Sequence, residues 1–279
     1  MTRRARRGGA RRGFRASALV SSALMLLAVD IGNTNVVAGL LDGDEVARVV
    51  RLTTVRDEAP EAAGRRLLEA LSADGRARVR AAVVASVIVP LGPVWTDALA
   101  QALGVAALLV DHRTDTGVRL AVEHPAQVGV DRYVNLAALA HLGVGVLVVD
   151  CGTATTFDVL SPSGDFLGGT IAPGMAISAE ALASRAPRLP PVPLSAPPRA
   201  IATNTLDAIR SGVVFGYAGL VEGLIARMRA EAGFPLRVYA TGGLAATLAP
   251  LCPSFEVVDP HLTLRGLAAI HARAYASRT

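Results

Sequence analysis

Asp30-Ile31-Gly32-Asn33-Thr34-Asn35 and Asp150-Cys151-Gly152-Thr153-Ala154-Thr155 repeat one pattern. Each follows a short aliphatic run, Leu26-Leu27-Ala28-Val29 in the first case and Val146-Leu147-Val148-Val149 in the second. Each is followed by a second strand-like run, 36–41 and 156–160, and then by a turn signal, Asp42-Gly43-Asp44 or Ser161-Pro162-Ser163-Gly164-Asp165. The two copies align at an offset of 120 residues with no gap. Strand, Asp-x-Gly turn, strand and hairpin occurring twice predict a duplicated α/β domain.

Outward from these turns, 45–52 reads as a third strand. The pattern predicts helices over 60–71, 94–103, 128–142, 203–229 and 262–275, and further strands over 80–89, 106–110 and 238–241. The duplication places a domain boundary between 139 and 145, giving domains 25–140 and 141–279. Six prolines in 186–198 exclude helix and central strand there, so the segment is expected to be an ordered surface loop or lid. Gly212, Gly216 and Gly219 are expected to let the long helix pack closely.

The 279 residues are 52% hydrophobic and 4% aromatic, which favours buried aliphatic strands over an aromatic stacking surface. The net charge of +5 is uneven. Seven of the 28 basic residues lie in 1–24, so the remaining 21 face 23 acids and the body, 25–279, carries −2. A basic arm suits nucleic acid or anionic lipid, but no RNA-binding aromatic pattern accompanies it. Residues 1–24 are therefore expected to be a disordered extension or the product of a misassigned start, with Met25 the better start. Arg11-Arg12-Gly13-Phe14-Arg15 resembles a twin-arginine export signal, yet cleavage after its apolar stretch would damage the first strand. No partner nucleic acid or membrane is expected. Cys151 and Cys252 form no disulfide framework or zinc pattern, which fits a reduced, cytoplasmic setting.

The turns themselves point to phosphate. Gly32 lets the backbone approach a ligand without a clashing Cβ. Exposed N–H groups, with Asn33, Thr34 and Asn35, can donate to phosphate oxygens. Asp30 at a strand end can hold Mg²⁺, directly or through water, since magnesium prefers one or two carboxylates plus phosphates. Asp150, Thr153, Thr155 and Thr156 make an opposing jaw, and the residues alone assign Asp150 to Mg²⁺ as well. Gly129-Val130-Asp131-Arg132 opens a helix, where the dipole suits an anion. Arg132 can bind a carboxylate or phosphate bidentately, and Asp131 can accept a hydroxyl proton during phosphoryl transfer. Gly168 to Gly174 suggests backbone packed against a ligand or the other jaw. Thr241-Gly242-Gly243 suits adenosine or ribose. The chain contains no Lys, which excludes a P-loop kinase. Composition and spacing alone reach phosphoryl transfer to a small hydroxyl compound.

The motifs 30–35, 129–132, 150–156 and 168–174, with Asn204-Thr205 and Ser211-Gly212, resemble those of type III pantothenate kinase, in that order and across nearly all of 25–279. The resemblance implies the acetate and sugar kinase/Hsp70/actin superfamily, with two ribonuclease-H-like domains around a cleft and a homodimer. It implies ATP-dependent phosphorylation of pantothenate to 4′-phosphopantothenate, the first step of coenzyme A synthesis, with Mg²⁺ and a potassium or ammonium ion. By position, Asp131 resembles the proton acceptor and Gly129, Val130, Asp131 and Arg132 the pantothenate segment, with Arg132 facing the carboxylate. Thr205 resembles a further pantothenate contact. Asp30, Ile31, Gly32, Asn33, Thr34, Asn35, Val36 and Val37 resemble the ATP phosphate loop, Thr153 an ATP contact and Asp150 the monovalent-cation ligand. Val122 stands where many relatives carry a Tyr, and His124 replaces a common Asn. Two other classes compete: a non-catalytic relative acting as a transcription-associated accessory factor, and an ATP-driven module like the Hsp70 nucleotide domain. Retention of Asp30, Asp131, Arg132 and Asp150 argues against the first. The 255-residue body is short for the second.

Overall fold

The computed structural model describes residues 25–276, so the expectations for 1–24 lie outside the described residues. Strands β1 (Met25–Ile31), β2 (Asn35–Asp42) and β3 (Glu45–Thr53) form an antiparallel meander. Helices α1 (Pro60–Ala70), α2 (Ala73–Arg78) and α3 (Leu91–Leu103) follow, interleaved with β4 (Val79–Ser86) and β5 (Ala107–Leu109). The strand order is β3-β2-β1-β4-β5, with β4 and β5 parallel to β1. The chain then lays down β6 (Arg119–Leu120) and α4 (Val130–Ala137).

The second half repeats the plan with β7 (Val146–Cys151), β8 (Ala154–Leu160) and β9 (Asp165–Pro173). Helices α5 (Met175–Arg185), α6 (Thr205–Arg210) and α7 (Gly216–Glu231), then β10 (Arg237–Thr241), α8 (Ala245–Leu248), β11 (Val257–Val258) and α9 (Leu262–Ala276) complete it. The sheet order is β11-β10-β7-β8-β9-β6. Read from β9, the order β9-β8-β7-β10-β11 matches β3-β2-β1-β4-β5, with the same parallel and antiparallel neighbours. The duplication is thus one of topology as well as of motif.

Alternation along the two leading strands sorts residues between layers. Leu27, Val29 and Ile31 point outward into a core with Leu67, Trp95 and Leu99 of α1 and α3. Leu147, Val149 and Cys151 point into a core with Val221 and Ile225 of α7. The intervening positions, Ala28 and Asp30, and Val146, Val148 and Asp150, face a middle layer built from α4 and α9. The last helix returns to pack on β1, β4 and α4. Its Leu264, Leu267 and Ile270 are buried, each stabilising by roughly 1.5–3 kcal/mol. At the helix crossing a Cβ on Gly266 would sit 1.9 Å from the Val134 carbonyl oxygen, so only glycine lets the axes approach this closely.

Several sequence expectations change. The first turn spans four residues between the paired Ile31 and Val36, whereas the second spans three between Cys151 and Thr155. The offset is therefore 120 before the turn and 119 after it, and the gapless alignment does not hold. The strand expected over 80–89 ends at Ser86. The helix expected over 128–142 is α4 plus a 3-10 turn at Ala140–Leu142, ended by Gly143 at φ +61. The segment 168–174 is the end of β9 plus Gly174, the residue before α5, and packs on its own hairpin: a Cβ on Gly174 would lie 2.3 Å from the Thr153 carbonyl oxygen. Among the described residues, the helix's own backbone aside, nothing lies within 4 Å of a Cβ placed on Gly212, Gly216 or Gly219, so these do not serve close packing against the rest of the described residues. Helices α2, α5 and α8 and strands β6 and β11 have no counterpart among the sequence expectations. The proline segment has neither helix nor strand, and Arg210 orders it by donating to the carbonyls of Ser195 and Ala196 at 3.0 Å each. The stretch Thr205–Glu231 is long and apolar enough to cross a membrane on length and mean hydropathy, but Val214, Tyr217, Val221 and Ile225 pack it against the second sheet.

Candidate active site

The two Asp-x-Gly turns meet. Thr34 Oγ1 lies 3.0 Å from Thr153 Oγ1, a contact between the tips of the two sheets. In the first turn Gly32 N–H donates to the Asn35 carbonyl at 2.9 Å, and Thr54 Oγ1 donates to the Gly32 carbonyl at 2.8 Å. Arg56 Nη2 donates to Asn33 Oδ1 at 3.4 Å. In the second, Gly152 N–H donates to the Ala154 carbonyl and Gly174 N–H to the Thr153 carbonyl, both at 3.1 Å. Tyr217 Oη sits 2.7 Å from Thr155 Oγ1 and 2.8 Å from the Pro173 carbonyl, bracing this turn from α7. Asn33, Thr34 and Thr153 are exposed, while the side chains of Ile31, Val36 and Val130 are in the cores, so only their backbones can serve a ligand.

Below the turns, Asp30 on β1, Asp150 on β7, Asp131 in the first turn of α4 and Asp158 on β8 face the same middle layer. Asp30 feels the charges of Asp131 and Asp150, and Asp150 those of Asp131 and Asp158. Burial, then these neighbours, raise Asp30 from an ordinary 3.8 to about 8, with exposed Arg51 opposing. Burial first and Asp131 next raise Asp150 to about 7, opposed by Asn135. Burial also raises Asp131, while the Arg132 N–H, donating to Asp131 Oδ1 at 2.9 Å, opposes the shift. Asp30 and Asp150 are partly accessible as residues, but Asp30 Oδ1 is buried with no hydrogen-bond partner. Their shifts therefore express lost hydration at the carboxylate itself.

Arg132 is engaged by the protein. Its Nε donates to Asp158 Oδ1 at 2.7 Å and its Nη2 lies 2.6 Å from the same oxygen. Thr156 Oγ1 donates to Asp158 Oδ2 at 2.9 Å. The guanidinium also lies over the Phe166 ring, 5.4 Å from its centroid. One edge of Arg132 is thereby committed and its direction set. Asp158 is raised to about 6, burial outweighing the arginine. Asn135 Nδ2 donates to Asp150 Oδ2 at 3.0 Å. Thr205 is exposed at the start of α6, where Asn204 caps the helix by accepting the Asp207 N–H at 2.9 Å. Thr205 is not joined to the aspartates by any hydrogen bond among the described residues. Val122 is half-buried, 3.9 Å from a Cβ placed on Gly168, and His124 is exposed.

Sequence reading missed Asn135, Asp158 and Tyr217. Two had a visible signal. Asn135 stands four residues after Asp131, on the same helix face, and Asp158 follows the threonine run at the alternation of a strand facing the cleft. Tyr217 had none.

The donor set suits cations. Asp30 offers a buried oxygen without a partner, and four acids face one arginine. Among the described residues no three His, Cys, Asp or Glu side chains converge as a self-contained metal site. That fits an ion completed by phosphate oxygens better than a dedicated protein cage.

Charge burial has a measurable consequence. The folded chain holds protons on Asp30 and Asp150 that an unfolded chain releases above its ordinary carboxylate range. Without added K⁺ or Mg²⁺, stability is expected to fall as pH rises from about 4 to about 8, then level off. His271, held below its ordinary 6.5 by burial, opposes this only below that pH. Urea midpoints in tetramethylammonium buffers from acid to pH 9 check it; a profile rising throughout contradicts it.

The family model for type III pantothenate kinase matches residues 26–227. A type III pantothenate kinase of Thermomicrobium roseum is 45% identical over 256 residues, covering 91% of this chain and 99% of its own. One from Thermus thermophilus is 45% identical over 251 residues, covering 88% and 98%. Among solved structures, a ROK family glucokinase from Streptomyces griseus, in complex with glucose and AMPPNP, superposes with TM-score 0.52 at 13% identity, covering 90% of this chain and 99% of its own. A Campylobacter jejuni protein assigned to a Baf family of transcriptional activators gives 0.54 at 22% identity, covering 90% and 99%. Likeness at these identities bears on fold alone, so the accessory-factor alternative draws nothing from the latter.

Proposed function

The chain belongs to the type III pantothenate kinase family, and on that premise we propose that the cleft between its two sheets transfers the γ-phosphoryl group of ATP to the hydroxyl of pantothenate. The fold is the duplicated ribonuclease-H-like one of the acetate and sugar kinase/Hsp70/actin superfamily. We divide it at about residue 140, with β6 and α9 each crossing to the other half. The observation that carries the reading is the meeting of Thr34 and Thr153 above four facing aspartates and Arg132.

In this reading the turn 30–37 and Thr153 hold the ATP phosphates from both sides, by backbone N–H groups and hydroxyls. Asp30 is the ligand of Mg²⁺, directly or through water, and Asp150 that of a K⁺ or NH₄⁺ ion. Bound there, the cations neutralise charge on the phosphates. Gly129 to Arg132 receive pantothenate. The edge of Arg132 not taken by Asp158 meets the substrate carboxylate, and Thr205 adds a contact. Asp131, made more basic by burial, accepts the hydroxyl proton as the oxygen attacks phosphorus. With half-buried Val122 at that position, the aromatic contact of many relatives is absent or supplied by another residue. The protein works in the cytoplasm as a homodimer, with no nucleic acid or membrane partner. The exposed glycine face of α7, with Leu220 beside it, gives a second copy a surface to approach closely.

The test is ADP release by the full chain with pantothenate and Mg²⁺, in K⁺ or Na⁺. Turnover dependent on pantothenate, and faster in K⁺, is expected. ADP release in K⁺ that ignores pantothenate would sink the reading.

A further inference from the structure

A side-chain relay lies behind the acids, and two of its members, Asn135 and Thr263, have no part in the reading above. Asn135 is fully buried. Its Nδ2 donates to Asp150 Oδ2 at 3.0 Å, and its Oδ1 accepts from Thr263 Oγ1 at 2.7 Å. In the ionised form that a cation ligand takes, the Asp150 carboxylate only accepts, so the NH₂ faces Asp150 and the amide carbonyl is left to accept from the Thr263 hydroxyl. The relay joins three elements, β7 through Asp150, α4 through Asn135 and α9 through Thr263. On α4, Asn135 lies one turn beyond Asp131, so the same helix face carries the proton acceptor and the group that holds Asp150.

The other oxygen of Asp150 is bounded differently. A Cβ on Gly242 would lie 2.4 Å from Asp150 Oδ1, and one on Gly152 3.5 Å from it. The backbones of these two glycines thus border that oxygen, where a side chain at 242 would crowd it. Gly242 has φ +88, a backbone conformation that favours glycine. Asp150 thus has one oxygen tied by a side-chain amide and the other bordered by glycine backbone.

We propose that Asn135, aligned by Thr263, is the positioning residue that fixes Asp150 so that Oδ1 is presented to the monovalent cation. This rests on the reading of Asp150 as the cation ligand. An untied carboxylate rotates about its terminal torsion, and its orientation must be fixed before it can bind in one geometry. A buried amide holding a ligating carboxylate is the second layer on which a site's affinity depends. Because Thr263 sits on α9, which returns from the end of the chain to the first sheet, the relay also makes cation binding depend on the docking of that helix.

Binding is read apart from activity, as the rise in unfolding temperature of the full chain on titration with KCl. Tetramethylammonium chloride holds the ionic strength constant. Wild type is expected to show a saturable rise and Asp150→Asn none. Asn135→Leu is expected to raise the KCl concentration at half-effect by about tenfold or more, the worth of a hydrogen bond to a charged group. Thr263→Val, which preserves volume, raises it several-fold, roughly the share of a neutral hydrogen bond. Thr263→Ser, which retains the hydroxyl, restores the wild-type midpoint. Wild-type midpoints in both Asn135→Leu and Thr263→Val, with the response lost in Asp150→Asn, overturn the relay and leave the cation reading standing. A full K⁺ response in Asp150→Asn overturns both. If Asn135→Leu does not fold, Thr263→Val against Thr263→Ser decides the matter alone.

Discussion

Asp131→Asn is expected to lower kcat by about 10²- to 10⁴-fold while ATP still binds, the range that general base catalysis contributes. The substitution preserves shape. An asparagine at 131 keeps an oxygen to accept the Arg132 N–H, so the first turn of α4 stays capped from within. Only the basicity goes. Burial raises the Asp131 carboxyl above its ordinary value, which brings its proton affinity closer to that useful at neutral pH. The Arg132 N–H and the Arg132 charge oppose the shift. The ATP contacts proposed above fall on the turns of β1 and β7, which this substitution does not touch. Steady-state kinetics, with nucleotide binding measured by calorimetry, separate the two effects. Wild-type kcat in the variant removes Asp131 from its role; loss of ATP binding shows instead that the cleft has collapsed.

Asp158→Asn is expected to destabilise the protein by about 3 kcal/mol and to weaken pantothenate binding more than ATP binding, since removing one member of a buried ion pair leaves the other uncompensated. The Asp158 side chain is fully buried and that of Arg132 is 14% exposed, so the lower part of the usual range applies. The second effect is directional. Arg132 is held on one side by Asp158 and on its face by Phe166, and losing the first frees the guanidinium to turn towards Asp131. That arginine then stabilises the ionised form of Asp131 more strongly and makes it a poorer base. Urea unfolding gives the stability change. A KM for pantothenate that rises several-fold, with the KM for ATP little changed, supports the assignment. An unchanged pantothenate KM in a destabilised protein shows the pair to be structural only.

Much of the fold is legible in the chain because its signals are local. Two aliphatic runs, each ending in Asp-x-Gly, mark the centres of both sheets, and the Asp42-Gly43-Asp44 turn marks the first meander. Helix α3 and strand β5 follow from periodicity and length. The repeat reads as gapless because the shorter second turn can be seen only in strand register. Helix α5 has no signal of its own in the sequence reading, where the glycines at 168–174 before it suggest backbone packed against a ligand or the other jaw. Gly168 and Gly169 instead lie in β9, where Gly169 comes within reach of the Phe157 carbonyl, and Gly174, just after it, abuts the turn at 153. Gly212, Gly216 and Gly219 look like packing devices, but they face outward.

Residue order alone establishes that there are two turns of one kind, that each ends a buried strand in a carboxylate, and that an Asp-Arg pair opens a helix between them. Hydrophobic alternation and glycine placement act over a few residues and can be read directly. Which groups meet is a matter of three-dimensional packing. Packing brings Thr34 to Thr153, commits one edge of Arg132 to Asp158, and returns α9 from the end of the chain to set Thr263 behind Asn135. These contacts link residues 26 to 128 positions apart. They depend on how layers stack, and stacking is set by the summed burial of many side chains rather than by any one local pattern.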